Sequence, residues 1–162
     1  MSKIKLSILI PLYNYKDGAN KIINCLKSIN EKESKEIEVI ISDDSNKSLI
    51  RQDTQDLLNK KFYYFKYIFN KKKLGGVNNW NKLIRLSKGD YFWLLHHDEY
   101  WIKENFSIKN IIKKISKNDK SIFIIPIKKI FQIKKGCLNF LILQNHSGNK
   151  KLIQKFIMNR NY

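Results

Sequence analysis

The chain has 162 residues, 43% of them hydrophobic, with 32 basic against 14 acidic residues and a formal net charge of +18. That length suits one domain around one core and falls short of two, and the apolar share excludes an intrinsically disordered chain despite the charge. The basic excess attracts anionic partners, whether nucleic acid, phospholipid headgroups or phosphorylated ligands, but it fits a general drift toward Lys, Ile and Asn equally well.

The first element is "IKLSILIPLYN", a run rich in Ile and Leu that reads as a buried strand stopping at Pro11. From Asp17, a candidate N-cap, Ile22, Ile23, Leu26 and Ile29 recur at helical spacing, which predicts an amphipathic helix over 18–31 with Cys25 packed beside its apolar face. "EIEVIISDDSN" repeats the first pattern: a strand over 37–42 runs into Asp43, Asp44, Ser45 and Asn46. A helix over 48–60 and a strand over 62–69 follow. Val77, Trp80, Leu83, Ile84 and Leu86 then mark a helix over 77–87. Tyr91 to Leu95 is the next strand, and it ends abruptly at His96, His97, Asp98 and Glu99.

Further on, the sequence predicts a Lys-rich helix over 103–117, a strand over 121–127, another within "KKIFQIKKG" and a last helix over 150–158. Cys25 and Cys137 are far apart and form no metal-ligand spacing, and no signal-peptide pattern precedes the first strand, so a reducing cytoplasm is the expected compartment. Apolar runs such as 140–143 are far below the roughly 20 residues that cross a bilayer, so any membrane contact is expected to be peripheral.

Strand and helix alternate four times, which is the signature of a largely parallel α/β sheet with helices on both faces. Ligands bind such sheets beyond the carboxyl ends of the strands. The polar tips at 11–14, 43–46 and 96–99 all follow strands, so one sheet brings them to one edge. This convergence favours a cation or ligand site over a set of solvated turns. Clustered acids at that edge also argue against nucleic acid as the partner, since they repel phosphate unless a metal intervenes.

"SILIPLYNY", "EVIISDDSN" and "LGGVNNWNKLIRLSKGDYFWLLHHDEYW" resemble, in order and spacing, the successive motifs of family 2 glycosyltransferases with the GT-A fold. The resemblance covers about residues 4–101, with weaker agreement to 127. It implies a GT-A-like, Rossmann-like mostly parallel sheet, incomplete at the C-terminus, with a nucleotide-sugar-binding half over 1–117 and a partial acceptor-side region over 118–162.

The resemblance also implies roles for individual residues. Pro11, Tyr13, Asn14, Asp43 and Asp44 belong to the nucleotide site, where Tyr13 stacks on uracil or another base and Asp44 accepts the ring N–H; a flat aromatic and a carboxylate acceptor suit an imide-bearing base. Gly75 and Gly76 form a loop that lets the backbone approach the nucleotide at a helix N-terminus, a place that favours phosphate, and Asn81 completes the motif. Trp80 departs from it by replacing an Arg found in many members.

At His96, His97 and Asp98 the family has an Asp-any-Asp motif that binds Mg²⁺ or Mn²⁺ on the diphosphate. Asp98 keeps the metal role, and His96 stands in for the first acid with an imidazole that Mn²⁺ accepts. His97 and Glu99 lie in the vicinity of the donor sugar or diphosphate. The implied partners are a nucleotide-diphospho-sugar, a UDP-sugar above all, and a cell-surface glycan or lipid-linked acceptor. Lys113, Lys114, Lys117, Lys128 and Lys129 suggest peripheral contact with an anionic membrane, on its cytoplasmic face.

A general base is expected well downstream of the metal motif, yet after Glu104 the sequence holds a single acid, Asp119, which lies too early. No general base is identified. The resemblance implies a C-terminally truncated chain, since family domains commonly continue for tens of residues further, and the alternative to an enzyme is a noncatalytic nucleotide-sugar-binding remnant or split subunit.

Overall fold

The computed structural model describes residues 4–96, 107, 110, 122–126 and 139–144. In chain order these form β1 (Leu6–Leu12), α1 (Lys16–Ser28), a single-turn α2 (Glu31–Ser34), β2 (Ile37–Asp43), α3 (Gln52–Lys61), β3 (Tyr64–Phe69), α4 (Gly76–Leu86), β4 (Tyr91–Leu94), β5 (Ile122–Pro126) and β6 (Asn139–Gln144).

The strands make one six-stranded sheet in the order β3-β2-β1-β4-β6-β5. Strands β1 to β4 are mutually parallel, with Leu6 opposite both Ile37 and Tyr91. β6 lies between β4 and β5 and runs antiparallel to both.

Side chains alternate across a strand, so each strand feeds two cores. Leu6, Ile8, Ile10 and Leu12 of β1 join Ile37, Val39 and Ile41 of β2 beneath α1 and α3, where Ile22, Leu26 and Leu58 are buried. On the opposite face, Leu9 and Ile40 meet Leu83 and Ile84 of α4, with Phe92 and Leu94 of β4. The expected arrangement of helices on both faces of a mostly parallel sheet is therefore present. Among the described residues, no helix is long and apolar enough to cross a membrane.

Several boundaries differ from the sequence-based expectation. β1 runs through Pro11 to Leu12. The Leu9 carbonyl accepts from Leu95 N–H, so backbone groups of alternate residues 9 and 11 turn toward β4, whose pairing ends at Leu94 opposite Leu9. Pro11 therefore removes no ladder hydrogen bond. α1 begins at Lys16, leaving Asp17 in its first turn, where a carboxylate favours the helix dipole without making a cap bond. β6 contains the apolar run at 140–143, to which no strand was assigned from sequence.

Gly89 is fixed by close packing. A Cβ there would sit 2.7 Å from Ser7 Oγ and 2.8 Å from Ser7 N, because the turn before β4 is pressed onto β1. Ser7 Oγ accepts from Gly89 N–H and donates to the buried Glu38, which also accepts from Lys88 N–H. This knot ties the amino ends of β1, β2 and β4 together and so sets where their carboxyl ends emerge.

Candidate nucleotide site

The adjacent acids at the end of β2 go to opposite faces. Asp43 is completely buried on the α3 side, where its Oδ1 accepts from Ser45 N–H at 3.0 Å and its Oδ2 from Leu49 N–H at 2.8 Å and the Tyr67 hydroxyl at 2.5 Å. It braces the loop after β2, on the face of the sheet opposite to Asp44.

Asp44 turns to the α4 face. Its Oδ1 accepts from Leu74 N–H at 2.9 Å and Asn70 Nδ2 at 3.0 Å, and its Oδ2 from Gly75 N–H at 2.9 Å. An ionised carboxylate has about four lone-pair positions, so among the described residues one acceptor position remains, on Oδ2. The carboxylate also lies at the positive end of α4, whose N-cap is Gly75.

Gly75 has φ 75° and ψ 159°, a conformation open essentially to glycine alone. It allows the chain to turn its amide onto Asp44 and enter α4 at once. Gly76, by contrast, is the first helical residue with open space around it. The two glycines expected to act alike have different tasks.

Among the described residues, Asn14 is the other one of unusual backbone, with φ 46°, which Asn tolerates better than most. Its N–H donates to Ser45 Oγ at 2.7 Å and its Oδ1 accepts from Asn46 N–H at 3.0 Å, locking the loop after β1 to the loop after β2. Next to it Tyr13 is half exposed, and Lys73 Nζ lies 5.5 Å from its ring centroid, within cation–π range. Pro11 is buried in β1.

The structure thus brings Tyr13, Asn14, Asp44 and Gly75 to one edge of the sheet, beside an exposed loop that carries Lys71, Lys72 and Lys73. Asn81 is half buried on α4. His96 follows β4 on the same edge, with its ring centroid 5.7 Å from that of Trp80 at 55°. The expected first acid position and the expected arginine position are therefore in ring contact. His97, Asp98, Glu99 and the five acceptor-side lysines lie outside the described residues. Among the described residues, no group of three His, Cys, Asp or Glu side chains could hold a metal ion.

Sequence reasoning missed Asn70, Asn79 and Lys82. Asn70 Nδ2 reaches Asp44 Oδ1, Asn79 Oδ1 at 3.1 Å and Ser42 Oγ at 3.3 Å, while its Oδ1 accepts from Lys82 Nζ at 2.6 Å. Asn79 Nδ2 donates to the Ser42 carbonyl at 3.0 Å. One signal was available: Asn79 stands four residues before the buried Leu83, a polar residue on the apolar stripe of α4.

A mostly parallel sheet flanked by helices on both faces, with polar residues gathered beyond its strand ends, defines the chain as an α/β protein. It belongs to glycosyl transferase family 2, whose sequence model matches residues 7–157.

Among its relatives, an amylovoran biosynthesis glycosyltransferase of Erwinia amylovora is 33% identical over 107 residues, 64% of this chain and 34% of its own. A UDP-Glc:α-D-GlcNAc-diphosphoundecaprenol β-1,3-glucosyltransferase of Escherichia coli is 34% identical over 63% of this chain and 38% of its own. The chain thus spans about a third of the length of these relatives.

Residues 1–349 of TarS from S. aureus superpose with a TM-score of 0.68 at 18% identity, over 94% of this chain and 49% of that one. The same protein has been solved with UDP and with UDP-GlcNAc. That likeness gives the GT-A fold.

Proposed function

We propose that this chain binds a nucleotide-diphospho-sugar, specifically a UDP-sugar, together with Mn²⁺ or Mg²⁺, for glycosyl transfer to a cell-surface glycan or a lipid-linked acceptor. The carrying observation is the convergence of Tyr13, Asn14, Asp44 and Gly75 at one sheet edge, with an acceptor position remaining on Asp44 Oδ2. A half-exposed ring and a buried carboxylate are what a planar base with an imide N–H requires. The complexes of the structural relative with UDP and UDP-GlcNAc support this choice of donor.

Residues 1–117 form the donor half in this reading, and 118–162 belong to the acceptor side. Asp98 is the metal ligand, with His96 beside it; carboxylate oxygens suit either cation and imidazole suits Mn²⁺. A bound cation supplies positive charge against the diphosphate of the donor. His97 and Glu99, neighbours of Asp98 in sequence, belong to the vicinity of the donor sugar or diphosphate in this reading. The E. coli relative is named for a diphosphoundecaprenol-linked acceptor, which supports a lipid-linked substrate and a place in the cytoplasm or on the cytoplasmic face of the membrane.

The alternative reading is a noncatalytic nucleotide-sugar binder. Titration of UDP with and without Mn²⁺, followed by assay for hydrolysis of the donor, tests both. Metal-dependent UDP binding that falls in Asp98→Asn far more than in His97→Ala supports the proposal, with His96→Ala between them. Equal affinity of all variants in the presence of metal overturns the cation site. Binding without donor turnover favours the noncatalytic reading.

A further inference from the structure

Lys82 lies one helical turn beyond Asn79 on the same side of α4, and its ammonium meets Asn70 Oδ1 at 2.6 Å. An ammonium can only donate. The oxygen of the Asn70 amide must therefore face Lys82, and its NH₂ group must face Asp44, Asn79 and Ser42. The orientation of Asn79 is fixed independently, because its own NH₂ donates to the Ser42 carbonyl. Every polar atom of the Asn70 amide is thus committed in a buried setting, and Asn70 N–H is also committed, to the Asp43 carbonyl at 2.8 Å.

This chain of donors ends on Asp44. Together Asn70 Nδ2 and Leu74 N–H fill Oδ1, and Gly75 N–H takes one side of Oδ2. The rotation of the carboxylate, and hence the direction of its remaining lone pair, is set by these three donors. Two come from the backbone and survive any side-chain change; the third is held by Lys82 through Asn70.

We propose that Lys82 is a positioning residue for the donor base: acting through Asn70, it fixes the orientation of the Asp44 carboxylate, so that Oδ2 accepts an imide N–H. It touches neither the base nor the sugar. The inference rests on the reading of Asp44 as the base acceptor. It goes beyond that reading by assigning base discrimination to a lysine on α4, with Asn70 as the intermediary.

The test compares binding of UDP with that of UDP methylated at the ring N–H, by calorimetry on the full chain. Wild type should prefer UDP by at least about tenfold, the value of roughly one charge-assisted hydrogen bond. Lys82→Met should lower that ratio at least about threefold with little change in thermal stability, and Lys82→Arg, which keeps a donor, should retain it. Asn70→Ala removes the middle group and must lose the same discrimination, which keeps the idea testable should Lys82→Met fold poorly. A merely structural role would weaken both nucleotides equally and leave the ratio unchanged. A folded Lys82→Met or Asn70→Ala that discriminates as wild type does overturns the relay. If wild type itself binds the two nucleotides equally, the assignment of Asp44 to the base fails, and the relay falls with it.

Discussion

The Tyr67 hydroxyl donates to Asp43 Oδ2 across 2.5 Å, joining the edge strand β3 to the end of β2 just before the loop that carries Ser45. Burial, reinforced by the bond to Asp43, pushes the Tyr67 hydroxyl up to about 12. In an unfolded chain a tyrosine titrates near 10. Between these values the folded state holds a proton that the unfolded state has lost, so this group's stabilisation is complete below about pH 10 and is lost as pH rises toward about 12. Tyr67→Phe should cost about 1–2 kcal/mol at neutral pH and show a smaller further loss than wild type at about pH 11. Urea unfolding at the two pH values measures both.

Asp44→Asn offers one oxygen where three donors converge, and its new NH₂ must confront either Gly75 N–H or the donors on Oδ1. The expected cost is about 1–3 kcal/mol of stability, with UDP affinity falling at least about tenfold. Thermal melts and calorimetry on the same sample separate the two effects. A variant as stable as wild type would show that the loop at 74–75 is held by something other than this carboxylate.

The two neighbouring glycines should respond oppositely to alanine. At Gly75 there is room for a Cβ, but the backbone is one that L residues rarely adopt, so Gly75→Ala should cost about 1–3 kcal/mol. Gly76→Ala meets nothing within 4 Å at a helical position and should gain about 0.4–1 kcal/mol. Differential melting of the pair is a direct check.

Trp80 packs against the Leu9 and Phe92 cluster and touches the His96 ring. Trp80→Ala should lose about 2 kcal/mol of stability, less than a fully buried Trp. Removing the ring contact is worth about 0.5–1.5 kcal/mol, so Mn²⁺-dependent UDP affinity should fall about threefold to tenfold. Trp80→Phe should keep most of both. Unchanged metal-dependent binding in Trp80→Ala would mean that Trp80 serves packing alone.

The parallel strands and both helix layers were legible because β1 and β2 are rich in Ile and Leu, with one face apolar almost throughout, and α4 carries an apolar stripe through Leu83 and Ile84. The gathering of polar residues beyond the strand ends was legible for the same reason, since polar tips stand out against such runs. Which of the two acids faces α4 was less so. A period of two sends Asp43 and Asp44 to opposite faces, but only the packing of Tyr67 against one face and α4 against the other says which face is which. Asn70 and Lys82 were missed because their bond crosses from the end of β3 to α4, and neither residue breaks a local pattern. The place of β6 escaped because an antiparallel strand inserted out of chain order leaves no trace in periodicity.

The central position of β1 also sets an order of events during synthesis. Its contact with β2 spans 31 residues, as from Ser7 to Glu38, whereas its contact with the turn before β4 spans 82, from Ser7 to Gly89. A chain leaving the ribosome can close the first flank while the second partner is still to be made, a gap on the order of a few seconds at ordinary elongation rates. Through that interval the Leu9 carbonyl, which later accepts from Leu95, belongs to an unpaired strand edge beside apolar side chains. The nascent chain thus carries, for that interval, a strand edge open to mispairing that the finished sheet conceals.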